Sequence, residues 1–185
     1  MKGTKLAARY AKALFDFAIE LNKVDEIFQD INFIDKIFKE NTELRHVINM
    51  PVIRVDKKIA IIEQIFKPHI NEMTNKYLIL IIKKGRETQV DVICSEFVKL
   101  YKKNKNIITL QITSADTLPQ TTIDTLVEKV KEFTQANIQV ELAINPSIIG
   151  GYKLHFNDYF IDSSIKGSLD KLRKELIDKS YQINF

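Results

Sequence analysis

The sequence of 185 residues contains no tryptophan, one cysteine, four prolines and five glycines. Each scarcity excludes something. A lone cysteine, Cys94, rules out an internal disulfide framework and suits a reducing compartment. With 45 % hydrophobic and 28 % charged residues, so few prolines and glycines leave little room for disorder. Long apolar runs are missing too. The longest, Tyr77 to Ile82, falls far short of the roughly 20 residues of a membrane-spanning helix, and Arg9 and Lys12 interrupt the N-terminal apolar pattern, which therefore lacks the continuous core of a secretory signal.

Catalytic signatures are equally thin. His46, His69 and His155 are far apart and outside any metal-ligand spacing with Cys94 or each other. There is no Gly-x-Ser-x-Gly elbow, and Cys94 sits on an apolar helical stripe, as a core thiol would. No cofactor is expected. Adjacent carboxylates such as Asp25 and Glu26 belong to a solvated helix face and would not converge on a substrate.

Charge divides the chain near Asn106. Residues 1–105 carry 20 Lys and Arg against 14 Asp and Glu, a net +6, whereas residues 106–185 carry 8 against 10, a net −2. A basic half admits a nucleic-acid-binding adaptor as an alternative, but the lysines from Lys99 to Lys105 also suit the negative end of a helix dipole. No aromatic RNA-binding signature accompanies them.

The first half reads as helices. Leu6, Tyr10, Leu14, Phe17 and Leu21 recur at helical spacing, and Val24, Ile27, Phe28, Ile31, Ile34 and Phe38 repeat the pattern. A short helix around Leu44 to Ile48 stops before Met50-Pro51. Asp56 is read as the N-cap of the next helix, which ends at Pro68. Asn71 to Lys84 forms another, closed by Gly85, and Val90, Ile93, Cys94, Phe97 and Tyr101 mark a sixth.

Beyond Asn106 the period becomes two. Ile108 to Thr113 and Ile138 to Ile144 alternate apolar and polar residues, as half-buried strands do. Between them, Pro119 opens a helix carrying Ile123, Leu126, Val127, Val130 and Phe133. The pair Gly150-Gly151 precedes Tyr152, Leu154 and Phe156. A phosphate loop would need Gly-Lys-Ser or Gly-Lys-Thr at the start of a helix, so the pair is read as a bend or bulge. Asn157-Asp158 then makes a hairpin turn. Ser163 or Ser164 caps a last helix with Ile165, Leu169, Leu172 and Leu176 on one stripe. The fold class is therefore α+β: a bundle of six helices over 1–105, then a small mixed domain over 106–185 with a hairpin and a C-terminal helix.

Ala8-Arg9-Tyr10-Ala11-Lys12-Ala13-Leu14-Phe15 resembles the opening motif of the δ subunit of F-type ATP synthases, the oligomycin-sensitivity-conferring family. The C-terminal signature is similar as well. In that family a Gly-Gly pair leads through a hairpin into Ile-Asp-Gly-Ser-x-x-Gly-x-Leu-x-x-Leu; here Ile161-Asp162-Ser163-Ser164 and Gly167, Leu169 and Leu172 follow, with Ser163 in place of glycine. Positive φ at Ser163 would be strained. Lys84-Gly85-Arg86 resembles the family's basic-glycine turn.

The resemblance implies a non-catalytic stator subunit on the cytoplasmic face of a bacterial membrane, attached only through the complex. Its first domain would hold N-terminal segments of α subunits and its second the C-terminal ends of the peripheral-stalk b subunits, with no nucleic acid bound. An amphipathic partner helix docks in a groove, here placed between the first and fifth helices with Tyr10, Ala13, Leu14, Ile79 and Leu80 as its contacts. Leu14 equally suits the bundle core. Gly150, Gly151, Asn157, Asp158 and Gly167 are assigned to structural turns.

Overall fold

In the computed structural model, residues 2–182 are described and divide into two compact units, one ending at Asn104 and the other beginning at Lys105. Eight α-helices and four strands are present among the described residues, a mixed α+β chain. No described helix is long and apolar enough to cross a membrane.

The first unit contains α1 (Lys2–Glu20), α2 (Val24–Glu40), α3 (Thr42–Asn49), α4 (Val55–Phe66), α5 (Glu72–Lys83) and α6 (Val90–Asn104). Their shared core includes Ile27, Ile31, Ile34, Ile62, Phe66, Ile81, Ile93 and Phe97. Helix α1 meets it through Ala7, Ala11 and Ala18, each fully buried, with Leu14 and Phe15. The small alanines let α6 approach closely, and Phe15 meets Phe97 edge to face at 5.6 Å. The helical period of α1 thus matches the sequence reading, but its buried face is turned away from the Leu6, Tyr10, Phe17, Leu21 stripe. Phe17 and Leu21 are exposed.

Helix ends depart from expectation at two places. Arg54, not Asp56, precedes the first turn of α4, and no side chain caps it; Asp56 lies inside that turn, where a carboxylate still favours the dipole. Pro119 is the residue before α7 (Gln120–Thr134), its extended ψ of 143° lying outside the helical range. At α5 the cap is local: Asn71 accepts a hydrogen bond from the Met73 amide. Gly85, at φ +62°, closes the same helix, with the Arg86 amide reaching the Ile81 carbonyl.

In the second unit, β1 (Ile107–Ser114), β2 (Asn137–Ile144), β3 (Gly151–Phe156) and β4 (Tyr159–Ser164) form one sheet in the order β2-β1-β3-β4. The β1–β2 pair is parallel and is connected by α7; β1–β3 and β3–β4 are antiparallel. Crossover through a helix is what a parallel pair requires. Leu110 and Ile112 of β1 and Leu154 and Phe156 of β3 pack with Ile123, Leu126 and Val130 of α7. Asn106, at φ +51°, donates its side-chain amide to the Gln135 carbonyl and accepts from the Asn137 amide, which fastens the start of β1 to β2. The last helix, α8 (Ile165–Gln182), follows β4 directly.

Candidate functional site

The direction of α5 is set by Asp30. Its carboxylate accepts from the Asn71 amide at 2.9 Å and the Thr74 hydroxyl at 2.6 Å, and Asn71 also reaches Glu26 at 3.1 Å. The start of α5 therefore lies beside the first turns of α2, where α1 has just ended. So α1 and α5 run antiparallel.

Between them lies a groove of about 530 Å³. Tyr10, Ala13, Leu14 and Phe17 form the α1 wall; Met73, Lys76, Tyr77 and Leu80 form the α5 wall. Tyr10, Ala13, Leu14 and Phe17 recur at spacings of three, one and three on one face of α1, and the small Ala13 leaves a gap between its larger neighbours. Phe17 is 42 % and Leu80 45 % exposed, while Leu14 is 3 % exposed and belongs to the core as well. Hence Tyr10, Ala13, Leu14 and Leu80 come together.

Ile79 does not join them. A helix turns about 100° per residue, so Tyr77 and Leu80, three apart, share a face and Ile79 lies off it. Sequence reasoning also missed Phe17, Met73, Lys76 and Tyr77 as wall residues. The signal available for Phe17 was its spacing from Tyr10 and Ala13.

No chemistry is built into this groove. The Tyr77 hydroxyl has no hydrogen-bond partner among the described residues, and burial pushes its pKa above the ordinary tyrosine range. Burial also raises the pKa of the Cys94 thiol, which is 2 % exposed and packs in the core of the first unit. The walls offer shape and apolar surface.

The glycine pair lies in the second unit and bends the chain into β3. Gly151 has φ +75°, and a Cβ there would fall 2.3 Å from the Ser163 carbonyl oxygen. Gly150 offers its carbonyl to the Ile165 amide at 3.0 Å. Positive φ is carried by Gly151 and not by Ser163, which pairs with Tyr152 inside β4; the expected strain at Ser163 is absent. Asn157, at φ +49°, and Asp158 form the two-residue turn between the paired Phe156 and Tyr159.

Gly167 is not in a turn. It lies in the first turn of α8, where its amide donates to the Ser164 hydroxyl at 3.0 Å. Ser164 is thus the cap, and it donates in turn to Asp162 at 2.5 Å. A Cβ at Gly167 would sit 2.8 Å from the Asp162 carboxyl, so glycine here makes room for the carboxylate that organises the cap. Lys153 completes the cluster, 2.9 Å from Asp162.

Apolar surface is open in the second unit as well. Ile165, Leu169, Leu172 and Leu176 form the α8 stripe, and all are about half exposed or more. Phe160 and Ile161 of β4, an edge strand, are exposed beside its start. A cavity of about 290 Å³ opens between α7 and the hairpin, with Phe133, Phe156 and Tyr159 in mutual ring contact.

Comparison with known proteins gives one consistent result. The family model described as ATP synthase delta (OSCP) subunit matches residues 6–176. ATP synthase subunit delta of Lachnoclostridium phytofermentans is 33 % identical over 168 residues, covering 90 % of this chain and 92 % of that protein. ATP synthase subunit delta of Cytophaga hutchinsonii is 34 % identical over 179 residues, covering 97 % and 98 %. Among solved structures, a chain of the Toxoplasma gondii mitochondrial ATP synthase hexamer has the same fold at TM-score 0.74 and 18 % identity, covering 93 % of this chain and 97 % of that one.

Proposed function

The chain belongs to the ATP synthase delta (OSCP) subunit family and so is a non-catalytic stator subunit of the F-type enzyme; from that premise we propose that its two units grip two different partners. The first, read as a bundle of six helices, holds the N-terminal segment of an α subunit of the catalytic hexamer. The second holds the C-terminal ends of the peripheral-stalk b subunits. Membership in this family replaces the nucleic-acid-binding alternative that the basic first half allowed.

Rotation of the central stalk exerts torque on the hexamer, and only a hexamer held still against the membrane sector couples ion flow to ATP synthesis. A link of this kind needs two apolar docking surfaces and no reactive group. The chain reaches the membrane through the complex, on the cytoplasmic face in a bacterial cell.

The groove between α1 and α5 is the observation that carries the first contact. Its length of Tyr10 to Phe17 on one wall and Met73 to Leu80 on the other matches about two helical turns, and apolar anchors of an amphipathic helix seat in such grooves at spacings of three and four. For the second contact, the exposed α8 stripe of Ile165, Leu169, Leu172 and Leu176 is the surface we assign to the stalk. Calorimetric titration of the full chain with an N-terminal peptide of the same organism's α subunit tests the first assignment. Saturable one-to-one binding that Ala13→Trp removes supports it; binding unaffected by Ala13→Trp contradicts it.

A further inference from the structure

Charge along the groove is not uniform. Arg9, Asp16 and Glu20 flank the α1 wall, each three or four residues from Ala13 or Phe17, and all three are exposed. On α5 the line Met73, Tyr77, Leu80 continues at the same spacing into Lys84, with Lys83 beside it, both exposed. Because the helices are antiparallel, Arg9 lies at the same end as Lys83 and Lys84, and Asp16 and Glu20 lie at the other.

None of these five charges has an ion-pair partner among the described residues. Glu72 at the acidic end is by contrast paired with Lys76 at 2.7 Å, and Lys23 with Glu26 at 3.3 Å. Unpaired like charges gathered at each end of an apolar trough, whose low-dielectric walls focus their field, are complemented by opposite charges on what fills it.

We infer that the groove selects an amphipathic helix of polarised charge, with carboxylates over the Arg9 and Lys84 end and basic side chains over the Asp16 and Glu20 end. This inference rests on reading the groove as a helix site, and it adds what kind of helix enters and in which direction its charge runs. Apolar anchors supply the hold; the charged ends set orientation and reject helices of reversed charge.

The test uses the full chain and the N-terminal peptide of the same organism's α subunit, titrated at low and at high salt. For the unaltered chain, binding weakens several-fold with salt but persists. Arg9→Glu with Lys84→Glu weakens it at low salt by about tenfold or more, and added salt no longer weakens it further, because screening now relieves repulsion at this end as it weakens attraction at the other. A peptide with its Asp and Glu replaced by Lys recovers affinity on that variant. Arg9→Gln with Lys84→Gln, which removes charge without reversing it, gives an intermediate loss; circular dichroism verifies folding of each variant. Salt-independent binding, or unchanged affinity in both double variants, overturns the charge inference while leaving the groove in place if Ala13→Trp still abolishes binding. Failure of the unaltered chain to bind, or unchanged binding in Ala13→Trp, removes the groove reading and this inference together.

Discussion

The Lys58 ammonium lies 2.6 Å from the Glu87 carboxylate, and only 3 % of Lys58 is exposed. This pair joins α4 to the short 3-10 turn, Glu87–Gln89, that leads into α6. Its desolvation is already suffered by both groups, so removing one partner strands the other in the interior.

Lys58→Ala is therefore expected to destabilise the first unit by about 3 kcal/mol, as unpaired buried charges do. The double variant Lys58→Met with Glu87→Leu, which removes both charges and keeps apolar volume, recovers most of that loss. Urea unfolding followed by circular dichroism measures both. Equal losses in the single and double variants would show that packing, not charge, is what Lys58 supplies.

Gly151 and Gly150 separate two kinds of glycine requirement. Gly151→Ala combines positive φ with a Cβ 2.3 Å from a backbone oxygen, and a cost of about 2 kcal/mol or more in stability of the second unit follows. At Gly150 the obstacle is the flexible end of Ile165, whose Cδ1 is 2.6 Å from the added Cβ. Rotation of that side chain relieves it, so Gly150→Ala costs less than about 1 kcal/mol. Thermal unfolding of the two variants ranks them.

Asp162 gives the second unit a pH dependence. Donation from the Ser164 hydroxyl, then from Lys153 and the Ser164 amide, lowers its carboxyl from an ordinary 3.8 to about 2. A depressed folded-state pKa stabilises above the unfolded value and ceases to do so as protons are taken up. The contribution is thus fully present above about pH 4 and lost as the pH falls through about 2. Asp162→Asn removes this contribution, seen as a urea midpoint that responds less steeply to pH in that window.

Leu14 and Leu80 line the same groove but differ in burial. Leu14→Ala opens a cavity in the core and costs about 3 kcal/mol of stability. Leu80, 45 % exposed, can become Ala with a loss below about 1 kcal/mol, while affinity for the α peptide drops. Paired unfolding and titration experiments on the two variants separate fold from docking.

The α8 stripe admits a similar separation. Leu169→Lys with Leu172→Lys alters side chains that are 53 % and 55 % exposed, so stability changes by less than about 1 kcal/mol. Stalk binding is lost. Sedimentation of the variant with a soluble b-subunit dimer measures this, and retained binding moves the contact to another surface.

Most helices and the strands β1, β2 and β3 were legible because their apolar periods are clean, as in Ile108 to Thr113, whereas β4 followed only from the hairpin turn at Asn157-Asp158. The face of α1 was not. Its core side is built on Ala7, Ala11 and Ala18, small residues that carry little hydrophobic weight but permit the closest helix approach, so the larger Tyr10 and Phe17 dominated the pattern and turned out to line the groove. Helix α5 defeats phase for another reason: six consecutive apolar residues from Tyr77 to Ile82 give no polar face, and Ile79 could not be told from Tyr77. At Gly167, glycine looked like a turn because it usually punctuates one; that it clears space for Asp162 depends on a hairpin partner invisible in one dimension. The Gly151 bend and the Asn157 turn were readable because positive φ leaves few residue choices.

In the role proposed, one chain bridges two partners. Analytical ultracentrifugation of the catalytic hexamer with a soluble peripheral-stalk dimer, with and without the full-length chain, tests it most directly. The account predicts one complex containing all three when the chain is present, and a chain that sediments only with the stalk when it carries Ala13→Trp. Hexamer and stalk that co-sediment without the chain, or stay apart in its presence, would contradict it.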